Sequence, residues 1–253
     1  MWLRYARAMQ VLALYDIHGN LDALEAVLAD PRVSEADAIV VGGDVVPGAF
    51  ASECLSLLRG LDIPVHWVRG NGEREVADAA ARGIDPNQVS PDASAELTAA
   101  RTAAALEAGV AAWLGTLPTT LELDGVLYCH ASPRRDDEML TRISSAERWA
   151  EALGDVEQAL VVAGHTHQQD DRLAGGVRFV NAGSVGLPYE GDPAARWAWI
   201  SGGTPELRRT DYDGAAAGRR MLAAGWPDRR SIDGGLIDPV DPMLVTRLFE
   251  GID

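Results

Sequence analysis

Gln10-Val11-Leu12-Ala13-Leu14-Tyr15-Asp16-Ile17-His18-Gly19-Asn20 is the stretch that decides how the rest of the chain is read. Gln10 to Tyr15 is an apolar run of strand length, and it stops at an aspartate and a histidine two residues apart. In an extended chain residues i and i+2 face the same side, so this spacing predicts that Asp16 and His18 reach one ion together. Helical spacing follows at once, with Leu21, Leu24, Val27 and Leu28 on one face of a helix over 21–29. Residues 37–41 read as the next strand, ending in Gly42-Gly43-Asp44. A helix over 51–61 and a strand over 64–68, ending in Arg69-Gly70-Asn71, complete a β-α-β-α-β opening. Such an order predicts parallel strands with helices packed on them.

Further out the pattern changes. Residues 91–114 are Ala-rich and read as two helices or one broken one. Strands over 119–123 and 126–129 meet at Asp124-Gly125 as a hairpin. A helix over 145–153 has Ser144 or Ser145 as its N-cap. A buried strand over 159–163 ends in Gly164-His165-Thr166-His167. A second hairpin over 170–180 turns at Gly175-Gly176, and 196–200 and 206–210 read as antiparallel strands. Residues 213–224 read as a helix, with a short helix near the end. With no internal repeat and no long low-complexity linker, residues 9–253 are expected to form one domain behind a disordered leader, residues 1–8.

Composition narrows the function. Across 253 residues, 47% apolar and 24% charged side chains are those of a globular protein. No run approaches the ~18 apolar residues of a membrane helix, and the N-terminus lacks the apolar stretch of a signal peptide. A cytoplasmic protein without membrane contact is expected. Cys54 and Cys129 lie in different apolar segments, which fits reduced, buried thiols. A net charge of −16 argues against a DNA-duplex partner, whereas bound metal ions would locally reverse the field for a small phosphate ester. The chain contains no lysine, which removes P-loop, Schiff-base and Ser-Lys chemistry together. Nothing in the sequence specifies an oligomeric state.

The chemistry lies where apolar strands end. Their C-terminal ends carry Asp16-Ile17-His18, Gly43-Asp44, Gly70-Asn71, His130 and Gly164-His165-Thr166-His167. In α/β sheets that edge is where ligands bind. Four of the five histidines fall there, which points to a metal site rather than to scattered core histidines. His165 and His167, again two apart, are expected to face one cluster, with Gly42-Gly43 and Gly164 providing sharp turns. Mixed imidazole and carboxylate donors suit Mn, Fe, Zn, Co or Ni better than Ca or Mg.

Weaker candidates surround this set. Asn20 is either a ligand-shell or phosphate contact or the N-cap of the helix that follows. Arg134 is either a bidentate phosphate grip or a solvated loop arginine. His66 and Cys129 read as structural. Gly183-Ser184-Val185-Gly186 approaches a nucleophile elbow, but Ala182 stands where the first glycine belongs, against a serine hydrolase.

The order Asp-x-His, Gly-Asn after Gly-Asp, a lone His, and Gly-His-x-His resembles the calcineurin-like metallophosphoesterase signature. Asn181 to Gly186 and His130-Ala131-Ser132-Pro133-Arg134 resemble its small bacterial phosphodiesterase-like branch. The resemblance implies an α/β fold, a β-sandwich of two mixed sheets flanked by helices. It implies two divalent transition-metal ions, with Mn foremost and Fe, Zn, Ni or Co as alternatives. One ion would take Asp16, His18 and His167, the other Asn71, His130 and His165, with Asp44 between them. It further implies a hydroxide bridging the ions that attacks the phosphorus of a phosphodiester or a phosphatase-type monoester.

One departure bears on substrate. Many members carry a histidine directly after Gly-Asn, where it contacts phosphate, but here Gly72-Glu73 follow Asn71. Loss of that acid predicts a preference for acidic leaving groups, and for diesters over alkyl monoesters. Glu73 reads as a poor substitute, since its charge would repel phosphate. The competing reading is a non-catalytic scaffold on the same fold, as in the retromer subunit. A missing ligand would favour it, and every ligand position is filled.

Overall fold

The computed structural model describes residues 7–252. Most of the expected leader therefore lies outside the described residues, while Arg7 pairs with Asp37 at 2.5 Å. In chain order, β1 (Gln10–Leu14), α1 (Leu21–Leu28), β2 (Ala38–Val41), α2 (Ala51–Arg59) and β3 (Val65–Trp67) make the opening unit, its strands parallel as the sequence predicts. Helices α3 (Asn71–Arg82), α4 (Ser94–Ala105) and α5 (Val110–Gly115) follow. The hairpin of β4 (Thr120–Leu123) and β5 (Val126–Cys129) leads through α6 (Ala146–Leu153) to β6 (Leu160–Ala163). β7 (Asp170–Ala174) and β8 (Val177–Asn181) form the second hairpin, and β9 (Ala195–Ser201) and β10 (Thr204–Thr210) the antiparallel pair. Helices α7 (Gly214–Ala223), α8 (Arg229–Ile232) and α9 (Pro242–Phe249) complete the described chain.

The strands form two mixed five-stranded sheets, ordered β10-β9-β1-β2-β3 and β4-β5-β6-β8-β7. Strand alternation sorts side chains into three layers. Val11, Ala13 and Tyr15 meet Val126, Tyr128, Val162 and Val180 between the sheets. Leu12, Leu14, Ile39 and Val41 turn outward against Leu24, Val27 and Leu58 of α1 and α2. On the far side Cys129, Val161 and Phe179 pack on Trp149 and Leu153 of α6. Each fully buried Leu, Val or Phe contributes about 1.5–3 kcal/mol. Tyr15, buried between the sheets, donates its hydroxyl to the Val162 carbonyl at 2.8 Å and ties them together just below the site. Among the described residues no helix is long and apolar enough to cross a membrane.

Sequence reading assigned no helix to residues 71–82, which follow Gly70 without a side-chain cap. Helix α3 nevertheless starts at Asn71. Gly70 has no side chain to cap it, but Glu73 reaches back to accept the Gly70 amide at 2.8 Å.

Candidate functional site

The predicted ligands converge on one end of the sandwich, though not by the backbone geometry the spacing implied. Asp16 (φ 53°), His18 (φ 47°), Asp44 (φ 55°), His165 (φ 72°) and His167 (φ 57°) all adopt left-handed backbone. That conformation costs a non-glycine residue about 1–2 kcal/mol. The expectation of extended i, i+2 pairs is therefore corrected. These five sit on tight turns just past their strands, and His165 and His167 fall in different clusters. Backbone bonds hold these turns. The His18 amide donates to the Asp44 carbonyl at 2.9 Å, and the Asp16 amide to the Gly43 carbonyl at 3.1 Å. Gly164 is required by space, since a Cβ there would lie 2.4 Å from Asp16 Oδ2.

Two triads result. Ligand atoms of Asp16, His18 and His167 lie within 4.8 Å of one another, as do those of Asp44, His130 and His165. Asp44 Oδ2 lies 3.5 Å from His130 Nε2 and 3.8 Å from His18 Nε2, and so faces both triads. The Nδ1 atoms of His18, His130 and His167 face the carbonyls of Pro47, Gly42 and Leu187 at 3.3, 3.0 and 2.6 Å. A carbonyl only accepts, so each Nδ1 donates to its carbonyl and each Nε2 is the ring atom turned inward toward the cluster. Asp16 Oδ2 accepts the His165 amide at 2.8 Å, leaving Oδ1 inward. Asn71 donates Nδ2 to Glu75 Oε1 at 3.2 Å, which aims Oδ1 the same way.

Whether metal ions fit is decided by what these atoms lack. Asp16 Oδ1, Asn71 Oδ1, His130 Nε2 and His165 Nε2 are buried and have no hydrogen-bond partner. An orphaned buried polar atom costs about 1–3 kcal/mol, and four converging from four strand ends fit ligands of cations. His18 Nε2 and His167 Nε2 stand 3.1 Å apart, close enough to face one ion together. The field agrees. Burial alone would raise the Asp16 and Asp44 carboxyls, but the surrounding histidines hold both below the usual carboxylate range. Burial would lower His130, but Asp44 and Asp16 raise it to about 10. Burial and the His130 charge lower His165 to about 4.

Two weaker candidates fall outside the site. Asn20 is fully buried, caps α1 through the Ala23 amide at 3.1 Å, and spends Nδ2 on the Gly186 carbonyl and the Tyr212 hydroxyl. Its helix-cap reading replaces a phosphate contact. Arg134 grips Glu138 on the surface rather than lining the cavity. Ser184 donates to the Asp16 carbonyl at 2.7 Å and accepts the Leu187 amide at 2.8 Å, so the segment around it buttresses the Asp16 turn.

Glu73 was misread from sequence. Fully buried, it accepts the amides of Asp44, Val45 and Gly70 at 2.8, 2.9 and 2.8 Å, shaping the Asp44 turn and not facing phosphate. Burial and the Asp44 charge raise it to about 7 against those bonds. The available signal was a glutamate three residues past Gly70, the N3 position of a capped helix.

Above the ligands opens a cavity of about 220 Å³. His18, Asp44, Asn71, His165 and His167 form its floor, while Asp16 and His130 lie buried beneath. Tyr189, Trp226 and Phe249 form a facing wall, with Thr98, Asp228 and Ser231 at its polar margin. Sequence reading identified none of these wall residues, which come from distant segments without a strand-end motif.

A model of the calcineurin-like phosphoesterase superfamily domain matches residues 9–200. A metallophosphoesterase from Sphaerobacter thermophilus is 27% identical, with 92% of this chain and 100% of that chain covered and a TM-score of 0.71. A hypothetical protein from Pyrococcus horikoshii shares the fold at 19% identity, with 92% and 99% covered and a TM-score of 0.75. No curated protein sequence matches the chain.

Proposed function

The chain belongs to the calcineurin-like phosphoesterase superfamily, and on that footing we propose that it is a two-metal hydrolase of small phosphate esters, with diesters preferred over alkyl monoesters. The observation that carries this reading is the convergence of four partnerless buried donor atoms between two His-carboxylate triads. Asp16, His18 and His167 would hold one ion, Asn71, His130 and His165 the other, with Asp44 shared. Nitrogen and oxygen donors in this mixture suit Mn, and equally admit Fe, Zn, Ni or Co. When bound, such ions supply a hydroxide nucleophile at neutral pH and Lewis acidity toward the phosphoryl oxygens.

The chain's own residues do the rest. Nδ1 donation to backbone carbonyls keeps three imidazoles in the ligating tautomer. Glu73 and the Gly72 amide, which donates to Asp44 Oδ1 at 2.7 Å, orient the shared carboxylate. Position 72 has no room for an acid. A Cβ there would lie 2.1 Å from the Val46 carbonyl oxygen and 2.8 Å from Pro47 Cδ. The histidine of many family members is thus excluded by packing, and substitution at 72 cannot restore it. Among the described residues no arginine lines the cavity to compensate a second phosphate charge. Both facts support diesters with acidic leaving groups, for which proton donation matters least.

The test is a leaving-group series of aryl and alkyl phosphodiesters and monoesters on Mn-reconstituted protein, with metal content measured alongside. Rates should fall steeply as the leaving group becomes more basic. A flat dependence with chemistry rate-limiting would mean that another residue supplies the proton, and no turnover by fully loaded protein would favour a scaffold.

A further inference from the structure

Resting on the phosphoesterase reading, we propose that the wall of Trp226 and Phe249 is a subsite for a flat aromatic or heteroaromatic ring, so that the substrate is a phosphoester carrying such a ring on one ester oxygen. Both side chains are half-buried and line the same cavity as His18, Asp44 and His167. An apolar ring face left against water forgoes about 25 cal/mol per Å² of burial, which a docked ring recovers. Aromatic partners add about 0.5–1.5 kcal/mol through offset or edge contacts.

The Phe249 side of the wall is held in advance of binding. Tyr189 stacks on the ligand His167, with centroids 5.0 Å apart and planes at 15°, and Phe249 meets Tyr189 edge-on at 6.2 Å. Behind them Gln168, the residue after His167, donates to the Pro242 carbonyl at 2.7 Å and accepts the Thr246 hydroxyl at 2.7 Å. Helix α9, which carries Phe249, is thereby pinned to the ligand turn itself. A ring bound on this wall has its position set by the same residues that set the floor.

Size and charge narrow the class. About 220 Å³ accommodates a phosphoryl group with one ring, below the ~300–1,000 Å³ typical of larger ligand sites. Thr98, Ser231 and Asp228 at the margin offer hydroxyls and a carboxylate to the heteroatoms of a ring edge, and Asp228 disfavours a ring bearing an acid.

The test uses phosphinates, whose P–C bonds are not hydrolysed, so binding is read without turnover. Methyl(phenyl)phosphinate and dimethylphosphinate are titrated calorimetrically into Mn-reconstituted protein of measured metal content. The phenyl compound should bind about 10-fold tighter than the dimethyl compound. Trp226→Leu and Phe249→Leu keep apolar bulk while removing the flat ring, and circular dichroism checks their fold. Either variant should cut the ratio to about 3-fold or less and leave dimethylphosphinate affinity within about 2-fold. Equal affinities in the wild type, or a ratio unchanged in both variants, would overturn the ring subsite while leaving the phosphoesterase reading intact. Failure of both phosphinates to bind fully loaded protein would overturn the two together.

Discussion

Asp16, His18, Asp44, His165 and His167 stand on left-handed turns just beyond the strands that carry them, whereas Trp226 and Phe249 reach the same cavity from a helical C-terminal segment. The floor is stiff because each turn is over-determined. Neighbouring turns exchange backbone bonds, and the buried Glu73 carboxylate gathers four amides. The wall is held by few contacts, chiefly Gln168 to the start of α9 and the grip of Thr141, Ser144 and Arg148 on Glu250. Damage to the floor should therefore destroy chemistry, and damage to the wall should change selectivity.

The contrast is sharpest at the shared ligand. Asp44→Asn should lower turnover about 100-fold or more and lower Mn affinity at both sites, with the circular dichroism spectrum retained. His130→Ala should lower turnover similarly but leave one ion bound, as read by elemental analysis after reconstitution. Near-wild-type turnover in either variant would remove that residue from the proposed metal site.

Next in size is Glu73→Ala. Four buried amides, of Gly70, Asp44, Val45 and Val46, lose their acceptor, at about 1–3 kcal/mol for each group left unsatisfied. Thermal unfolding should show a loss of several kcal/mol by that measure, and Mn affinity should fall about 10–100-fold as the Asp44 turn relaxes. Glu73→Gln, which retains one oxygen, should lie between. Unchanged stability in Glu73→Ala would show that the turn is held by its backbone bonds alone.

Gln168→Ala tests the wall. It should cost about 1 kcal/mol of stability and raise KM for aryl diesters about 3–10-fold with little change in kcat. An equal loss in kcat would mean that Gln168 acts on His167 rather than on α9.

The smallest effect is expected at Glu250. Burial would raise its carboxyl, but hydrogen bonds from Ser144 and Thr141 and the Arg148 charge hold it below the usual range. A depressed folded-state pKa stabilises above the unfolded value, about 4.3, and that stability is lost as pH falls through the folded value. Wild type and Glu250→Gln should therefore differ by about 1 kcal/mol near pH 7 and converge in acid. A difference that persists at pH 3 would assign the effect to packing rather than to charge.

Locally encoded features were readable before the fold. Alternating apolar runs marked the strands, helical spacing marked α1 and α2, and Asp124-Gly125 marked a hairpin. The candidate ligand residues stood out because they follow apolar runs directly, so the polar break and the strand end coincide. Helix α3 was missed because its cap is a glutamate reaching back to a glycine. Asn20 and Arg134 were ambiguous because either role uses the same residue type, and only neighbours distant in sequence, Gly186 and Tyr212 for Asn20, distinguish them.

The sequence by itself determined the strand order of the opening unit, the set of ligand residue types at strand ends and the glycine at 72. These follow from periodicity and chain chemistry, which act over a few residues. Tertiary structure alone decided that Asp16, His18, Asp44, His165 and His167 sit on left-handed turns rather than extended backbone, that Gly72 sits beneath the Val46 carbonyl with no space for a side chain, and that Trp226 and Phe249 line the cavity. Each depends on segments tens to hundreds of residues apart being packed together. That packing is fixed by the burial of two sheets and their helices, and no local pattern records it.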